Sequence, residues 1–217
     1  TVLEILENGN IGLKNPFHPD NSPADLIKII KSLNERGISC PVLLRVTDYL
    51  AFRIKQINNS FFRAITEIRY KGEYKGVFPV KVNQQAQVID RIVEFGKEFD
   101  FGLEVGSKPE LLIALAHDLS ANSTIICNGI KDREFIHLAI LSIKIGFKTI
   151  LVLESPRELD LIIKISKELN VRPLLGIRVK LTNKVSGNWS QSSGDRSAFG
   201  LSVEQVMEVI NKLKTYD

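Results

Sequence analysis

Gly76-Val77-Phe78-Pro79-Val80-Lys81-Val82-Asn83 is an apolar, β-prone run that carries a single ammonium near its carboxyl end. Its strand-like core, 76–82, is followed by four more short runs of the same character at 99–105, 123–127, 149–153 and 173–179. The stretches between them keep the 3.6-residue period of helices: Val88, Ile89, Ile92 and Val93; Leu111, Leu112 and Leu115; Phe135, Ile136, Ala139 and Ile140; Leu159, Ile162 and Ile163. Each run closes on a polar residue, Lys81, Glu104, Asn128, Glu154 or Arg178, and these are spaced by 23, 24, 26 and 24 positions. A β-α repeat of that length, with strands apolar enough to be covered on both faces, implies parallel strands joined by right-handed helical crossovers. Such folds concentrate function at the carboxyl ends of their strands, where these five residues fall. Periodicity alone leaves both a barrel and an open doubly wound sheet in play. The nucleotide-binding signatures of the open sheet, G-x-G-x-x-G and G-x-x-x-x-G-K-[ST], do not occur.

Three of the helices are expected to open on capping boxes, because Ser107, Ser155 and Ser202 each stand three residues before Glu110, Glu158 or Gln205. Upstream, residues 1–24 are rich in Asn, Pro and Gly without a sustained period and read as an extended arm. Ser22-Pro23-Ala24-Asp25 predicts a helix start with Ser22 as N-cap, continued by Leu26, Ile29, Ile30 and Leu33 and stopped at Gly37. Residues 40–46 read as a strand. Residues 48–70 read as a long amphipathic helix with Leu50, Ile54, Ile57, Phe61, Ile65 and Ile68 on one side.

Composition sets outer bounds. Of 217 residues, 44% are apolar and 25% charged, with a mean hydropathy of +0.02, the balance of an ordinary globular protein. The net charge of +4 is scattered through both halves, which argues against a nucleic-acid partner. No apolar stretch approaches the roughly 18 residues of a membrane span, and the first seven residues lack the character of a signal peptide. Cys40 and Cys127 lie in apolar settings outside any C-x-x-C pair and read as two buried free thiols in a reducing, cytoplasmic compartment. His18, His117 and His137 have no i,i+4 partner among themselves, so a histidine-based metal site is not expected.

Lys81 is the residue with the most specific chemistry. An amine at the end of an apolar strand is expected to be partly desolvated, which favours the neutral form that Schiff-base formation needs, although most strand-end lysines are solvated or ion-paired structural residues. Glu104, on the next strand, is its natural partner, or else simply a carboxylate near a helix N-terminus. Arg178 suits an anionic oxygen of a ligand and equally an ion pair with Glu154. The polar loop 184–196 is longer than its connection requires and reads either as a lid or as a Gly/Ser-rich surface loop.

The runs around Lys81, together with Gly102-Leu103-Glu104-Val105-Gly106-Ser107-Lys108-Pro109-Glu110-Leu111, Ile126-Cys127-Asn128-Gly129-Ile130-Lys131-Asp132-Arg133-Glu134, Gly176-Ile177-Arg178-Val179 and Ser197-Ala198-Phe199-Gly200-Leu201, closely resemble the biosynthetic arginine decarboxylases. The likeness runs from about Pro41 onward, and the Cys-Asn-Gly-x-Lys-Asp stretch resembles the arginine branch rather than the ornithine or diaminopimelate branches. It implies a (β/α)8 TIM barrel of the alanine-racemase-like type that binds pyridoxal 5'-phosphate, incomplete here with about five of its eight strands. Residues 76–217 would supply the first five β-α units, and residues 1–75 an arm, helices and one strand, 40–46, of a β-rich second domain.

The resemblance implies that Lys81 carries the cofactor as a Schiff base, that Glu104 is an acidic residue beside the imine, and that Arg178 approaches the cofactor's phenolic oxygen. It further implies decarboxylation of L-arginine to agmatine and CO2 on a polyamine route, magnesium as a second cofactor, and a homo-oligomer at full length. On this count the chain is expected to be an N-terminal fragment that is inactive alone. A non-catalytic pyridoxal-phosphate barrel, a decarboxylase of another basic amino acid and an open-sheet interaction module are the alternatives. The first lacks counterparts of 41–70 and of the loop 184–196, and the last leaves Lys81 without a role.

Overall fold

The computed structural model describes residues 2–180 and 199–216, and the chain divides into two compact units, Thr1–Tyr74 and Lys75–Asp217. In the first unit the expected arm is instead a small antiparallel sheet. Its strands are β1 (Leu3–Ile5), β2 (Ile11–Leu13) and β3 (Ala24–Asp25), paired in that order. Gly9, at φ +80, provides the turn between the first two.

Helix α1 (Leu26–Glu35) begins three residues later than the Ser22 cap predicts. Asp25 is its N-cap, accepting from the backbone N–H groups of Ile27 at 2.9 Å and Lys28 at 3.2 Å. The same carboxylate takes the side-chain amides of Asn10 at 2.9 Å and Asn8 at 3.2 Å. That network, led by Asn10, holds the Asp25 carboxyl down to about 2. Ser22 has no comparable set of partners to offer, so the better-connected acid wins the cap. Gly37, at φ +80, terminates the helix as expected. Residues 40–46 contain no strand, contrary to expectation, and lead directly into α2 (Thr47–Glu67).

The second unit is a parallel sheet with helices between consecutive strands. Its elements are β4 (Val77–Pro79), α3 (Ala86–Gly96), β5 (Gly102–Val105), α4 (Lys108–Leu115), β6 (Thr124–Cys127), α5 (Arg133–Lys144), β7 (Lys148–Leu153), α6 (Pro156–Leu169), β8 (Leu174–Ile177) and α7 (Val203–Leu213). The strands lie in sequential order, with Pro79 opposite Glu104, Val105 opposite Cys127, Cys127 opposite Leu151 and Leu153 opposite Ile177. An open doubly wound sheet reverses its winding at a switch point; this sheet never does, which is barrel winding.

The apolar periods of α3 and α5 become buried faces, whereas Leu112 on α4 and Ile57 and Phe61 on α2 stay exposed. Helix α3 buries Ile89, Ile92 and Val93, and α5 buries Phe135, Ile136, Ala139 and Ile140. All four residues of β5 are buried, as expected of a strand covered on both sides. Each fully buried Ile, Leu, Val or Phe side chain among them contributes about 1.5–3 kcal/mol.

The caps are realised unevenly. Ser202 and Gln205 form the complete capping box. Ser107 accepts from Glu110 N, whereas Ser155 caps α6 without a side-chain hydrogen bond. The glutamates of these two turns reach one residue further back than a capping box requires. Glu110 accepts from Gly106 N and Glu158 from Glu154 N, both at 2.8 Å.

The two thiols are unpaired but unlike. Cys127 is buried, and burial pushes its thiol up to about 12, while Cys40 is exposed, contrary to expectation. In the native protein at pH 8 a disulfide-exchange reagent is therefore expected to titrate Cys40 rapidly and to reach Cys127 only on unfolding. Rapid native titration of Cys127, read by mass mapping, would contradict this burial. Among the described residues no helix is long and apolar enough to cross a membrane.

Candidate active site

The carboxyl ends of the five strands carry the predicted residues in two groups, Lys81 with Glu104 at one edge of the sheet and Arg178 with Glu154 toward the other. Lys81 does not lie on a strand: β4 ends at Pro79, and Lys81 sits in a single 3-10 turn, Val80–Val82, that buries Val80 and turns the lysine outward. Its side chain is 61% exposed, so the desolvation expected from its apolar neighbours is not found. The expectation fails here because the strand ends at Pro79, two residues before Lys81.

Glu104, at the end of β5, is 8% exposed. Its Oε1 lies 3.4 Å from Lys81 Nζ and accepts from Asn128 Nδ2 at 2.9 Å. The predicted pairing of Lys81 with Glu104 is thus present as a long contact, and Asn128, just beyond β6, orients the carboxylate. Glu104 Oε2 is buried with no hydrogen-bond partner among the described residues.

Arg178 follows β8. Its guanidinium makes the alternative contact considered above, an ion pair with Glu154 Oε1 at 3.1 Å, and stays 47% exposed. Glu154 is fully buried, takes a second hydrogen bond from Gly129 N at 2.9 Å, and leaves Oε2 unpartnered among the described residues.

The far side of Arg178 is built by the segment after 198. The Phe199 ring lies under its guanidinium, 5.2 Å from centroid to Cζ. Leu201 donates to Arg178 O and accepts from Lys180 N, both at 2.8 Å. This approach needs Gly200, at φ +86, where a Cβ would stand 3.1 Å from Arg178 O. Sequence reasoning gave Glu154 a task only as the possible ion-pair partner of Arg178, noted Asn128 as a strand-end residue without a task, and gave Phe199 none. The Ser-Ala-Phe-Gly-Leu run was the available signal. The loop 184–196 lies outside the described residues.

A buried carboxylate oxygen without a partner is costly and marks a place where a polar group belongs. Two such oxygens stand at these strand ends, with an accessible primary amine beside one of them and a half-exposed guanidinium beside the other. An aldehyde-bearing, anionic cofactor suits that set: the amine can attach it, and cation and carboxylate can flank it.

The family model of pyridoxal-dependent decarboxylases, pyridoxal binding domain, matches residues 54–217. The chain belongs to this family. Among curated relatives it is 45% identical over 215 residues to the biosynthetic arginine decarboxylase of Gloeobacter violaceus, and 47% identical over 212 residues to that of Prochlorococcus marinus strain MIT 9312. It spans 33% of the length of each, matching with 99% and 98% of its own residues.

Among solved structures, the biosynthetic arginine decarboxylase of Campylobacter jejuni superposes with a TM-score of 0.83 at 33% identity, covering 99% of this chain and 33% of that one. The diaminopimelate decarboxylase of M. jannaschii, at 21% identity and a TM-score of 0.68 over 97% of this chain and 44% of that one, shares the fold. The pyridoxal-binding domain of a decarboxylase fits the residues described above. For the expected magnesium, no group of three or more His, Cys, Asp or Glu side chains among the described residues could hold a metal ion.

Proposed function

We propose that this chain is the cofactor-binding portion of a biosynthetic arginine decarboxylase that converts L-arginine to agmatine and CO2, an entry to polyamine synthesis. The observation that carries the reading is the exposed amine of Lys81 beside the buried Glu104, whose second oxygen has no partner among the described residues. The names of the relatives favour arginine over other basic amino acids. In this reading residues 76–217 supply five units of the barrel, residues 1–75 belong with a second domain, and the whole protein is a cytoplasmic homo-oligomer.

When bound, pyridoxal phosphate supplies the sink for the electron pair released as the bond between Cα and the carboxylate breaks. Lys81 would attach the cofactor and, as an ammonium, carry a proton to Cα. Glu104 balances the charge of Lys81 and restrains its Nζ, and Asn128 holds Glu104 in that orientation. Arg178, braced by Glu154 and Phe199, would offer its remaining donors to an anionic oxygen of the cofactor.

Release of CO2 from carboxyl-labelled arginine, ornithine and diaminopimelate by the full protein with added pyridoxal phosphate tests this. Arginine is expected to be turned over at least about tenfold more efficiently than either competitor, since a site built for a polar group rejects analogues lacking it. A preference for ornithine or diaminopimelate would overturn the substrate. Failure of borohydride to trap pyridoxal phosphate on Lys81 would overturn the site.

A further inference from the structure

Behind the strand ends lies a buried ion pair to which the reaction assigns no part. The Lys131 side chain has no solvent exposure, and its ammonium makes two hydrogen bonds and one ion pair. Nζ donates to Gly129 O at 2.6 Å and Val152 O at 2.5 Å, and lies 3.2 Å from Glu158 Oε2. Glu158, 5% exposed, accepts in turn from the backbone N–H groups of Lys131 and Glu154, each at 2.8 Å. The pair thereby ties the turn after β6 to both β7 and the start of α6.

An ion pair so deeply buried is poor value as a source of stability, because desolvating two charges offsets most of their attraction and apolar replacements often do as well. Its geometric effect is larger. Through Lys131 it fixes Gly129 O, and the N–H of the same glycine is aimed at Glu154 Oε1 at 2.9 Å. Through Glu158 it fixes the backbone N of Glu154. Glu154 is thus held at both its main chain and its carboxylate, and that carboxylate holds Arg178 at 3.1 Å. The turn also requires glycine here, since Gly129 sits at φ +76 and an added Cβ would stand 3.0 Å from Gly106 O.

We propose that Lys131 and Glu158 are positioning residues: they set Gly129 and Glu154 and, through Glu154, the orientation of the Arg178 guanidinium. The consequence for the cofactor rests on the function proposed above; the consequence for Arg178 does not.

The test is made in the full protein as purified, with the double variant Lys131→Met/Glu158→Gln, which removes both charges together. Lys131→Met alone leaves an uncompensated buried carboxylate and is expected to unfold at lower denaturant; the double variant is expected to regain most of that loss. Phenylglyoxal modification with mass mapping then reads Arg178. Its modification is expected to accelerate by about fivefold in the double variant as the ion pair loosens, while Arg133, paired with Glu168 on the surface, reacts at its parental rate.

Parental reactivity of Arg178 in a double variant that has regained its stability would overturn the proposal, because the pair would then serve burial alone. Should the double variant not regain the fold, Glu158→Gln carries the same readout. Its amide oxygen can still accept one of the two backbone N–H groups, and parental Arg178 reactivity there is equally fatal. With pyridoxal phosphate added, the cofactor dissociation constant of the double variant is expected to rise about tenfold, the usual scale for outer-shell supports. Absence of a Lys81 adduct in the parent would sink the functional reading and leave the Arg178 result standing.

Discussion

Lys81→Ala in the full protein is expected to lower arginine decarboxylation by at least about 10³-fold, which corresponds to about 4 kcal/mol of transition-state stabilisation. On the function proposed above, two contributions would vanish together: the amine that would attach the cofactor and the ammonium that would deliver a proton to Cα in place of the lost carboxylate. Lys81→Arg should be no better, because a guanidinium keeps the charge but is not a nucleophile near neutral pH. A small amine added to Lys81→Ala should restore part of the rate, since the side chain is open to solvent and leaves room for a diffusible substitute. The measurement is CO2 release under saturating arginine and cofactor. A variant that retains more than about a tenth of the parental rate would remove Lys81 from the chemistry, as even single acid-base groups are worth about 10²-fold or more.

The second large effect is structural. Gly102→Ala is expected to destabilise the protein by about 3 kcal/mol or more, at the upper end of what overpacking costs. Gly102 heads β5, and a Cβ there would stand 1.9 Å from the carbonyl oxygen of Thr124 on β6. That neighbour is backbone, held by a ladder in which Leu103 faces Ile125 and Glu104 faces Ile126. It can retreat only by breaking the pairing that carries Glu104 to its place. Gly106→Ala is the control: among the described residues, the atom nearest its Cβ is the Glu110 carboxylate oxygen at 3.7 Å, an ordinary contact. Chemical denaturation should separate the two variants clearly, and a Gly102→Ala protein as stable as the Gly106→Ala protein would refute the packing at this strand.

Much of the fold was legible because it rests on local signals. The helix periods at Ile89, Ile92 and Val93 and at Phe135, Ile136, Ala139 and Ile140 describe the faces that are buried, and the regular spacing of strand-end residues implied a parallel sheet before any contact was known. Where the reading failed, it failed on competition between distant partners. Ser22 looked like a sufficient cap, yet Asp25 took the role because Asn8 and Asn10 reach it from the turn between β1 and β2. Residues 40–46 have the composition of a strand and no sheet partner in this unit, so their apolar character never becomes a ladder.

At the site the division is the same. The amino-acid order by itself singled out Lys81, Glu104 and Arg178, because a charge at the end of an apolar run is visible without coordinates. Tertiary structure alone decided that Lys81 leaves its strand in a 3-10 turn and meets solvent, that Arg178 leans on Glu154 and Phe199, and that Lys131 and Glu158 disappear beneath them. The reason is physical. Periodicity reports what a residue does relative to its own element, whereas burial and pairing at these turns depend on the register between strands whose ends lie some 24 residues apart in sequence; no local pattern encodes that register.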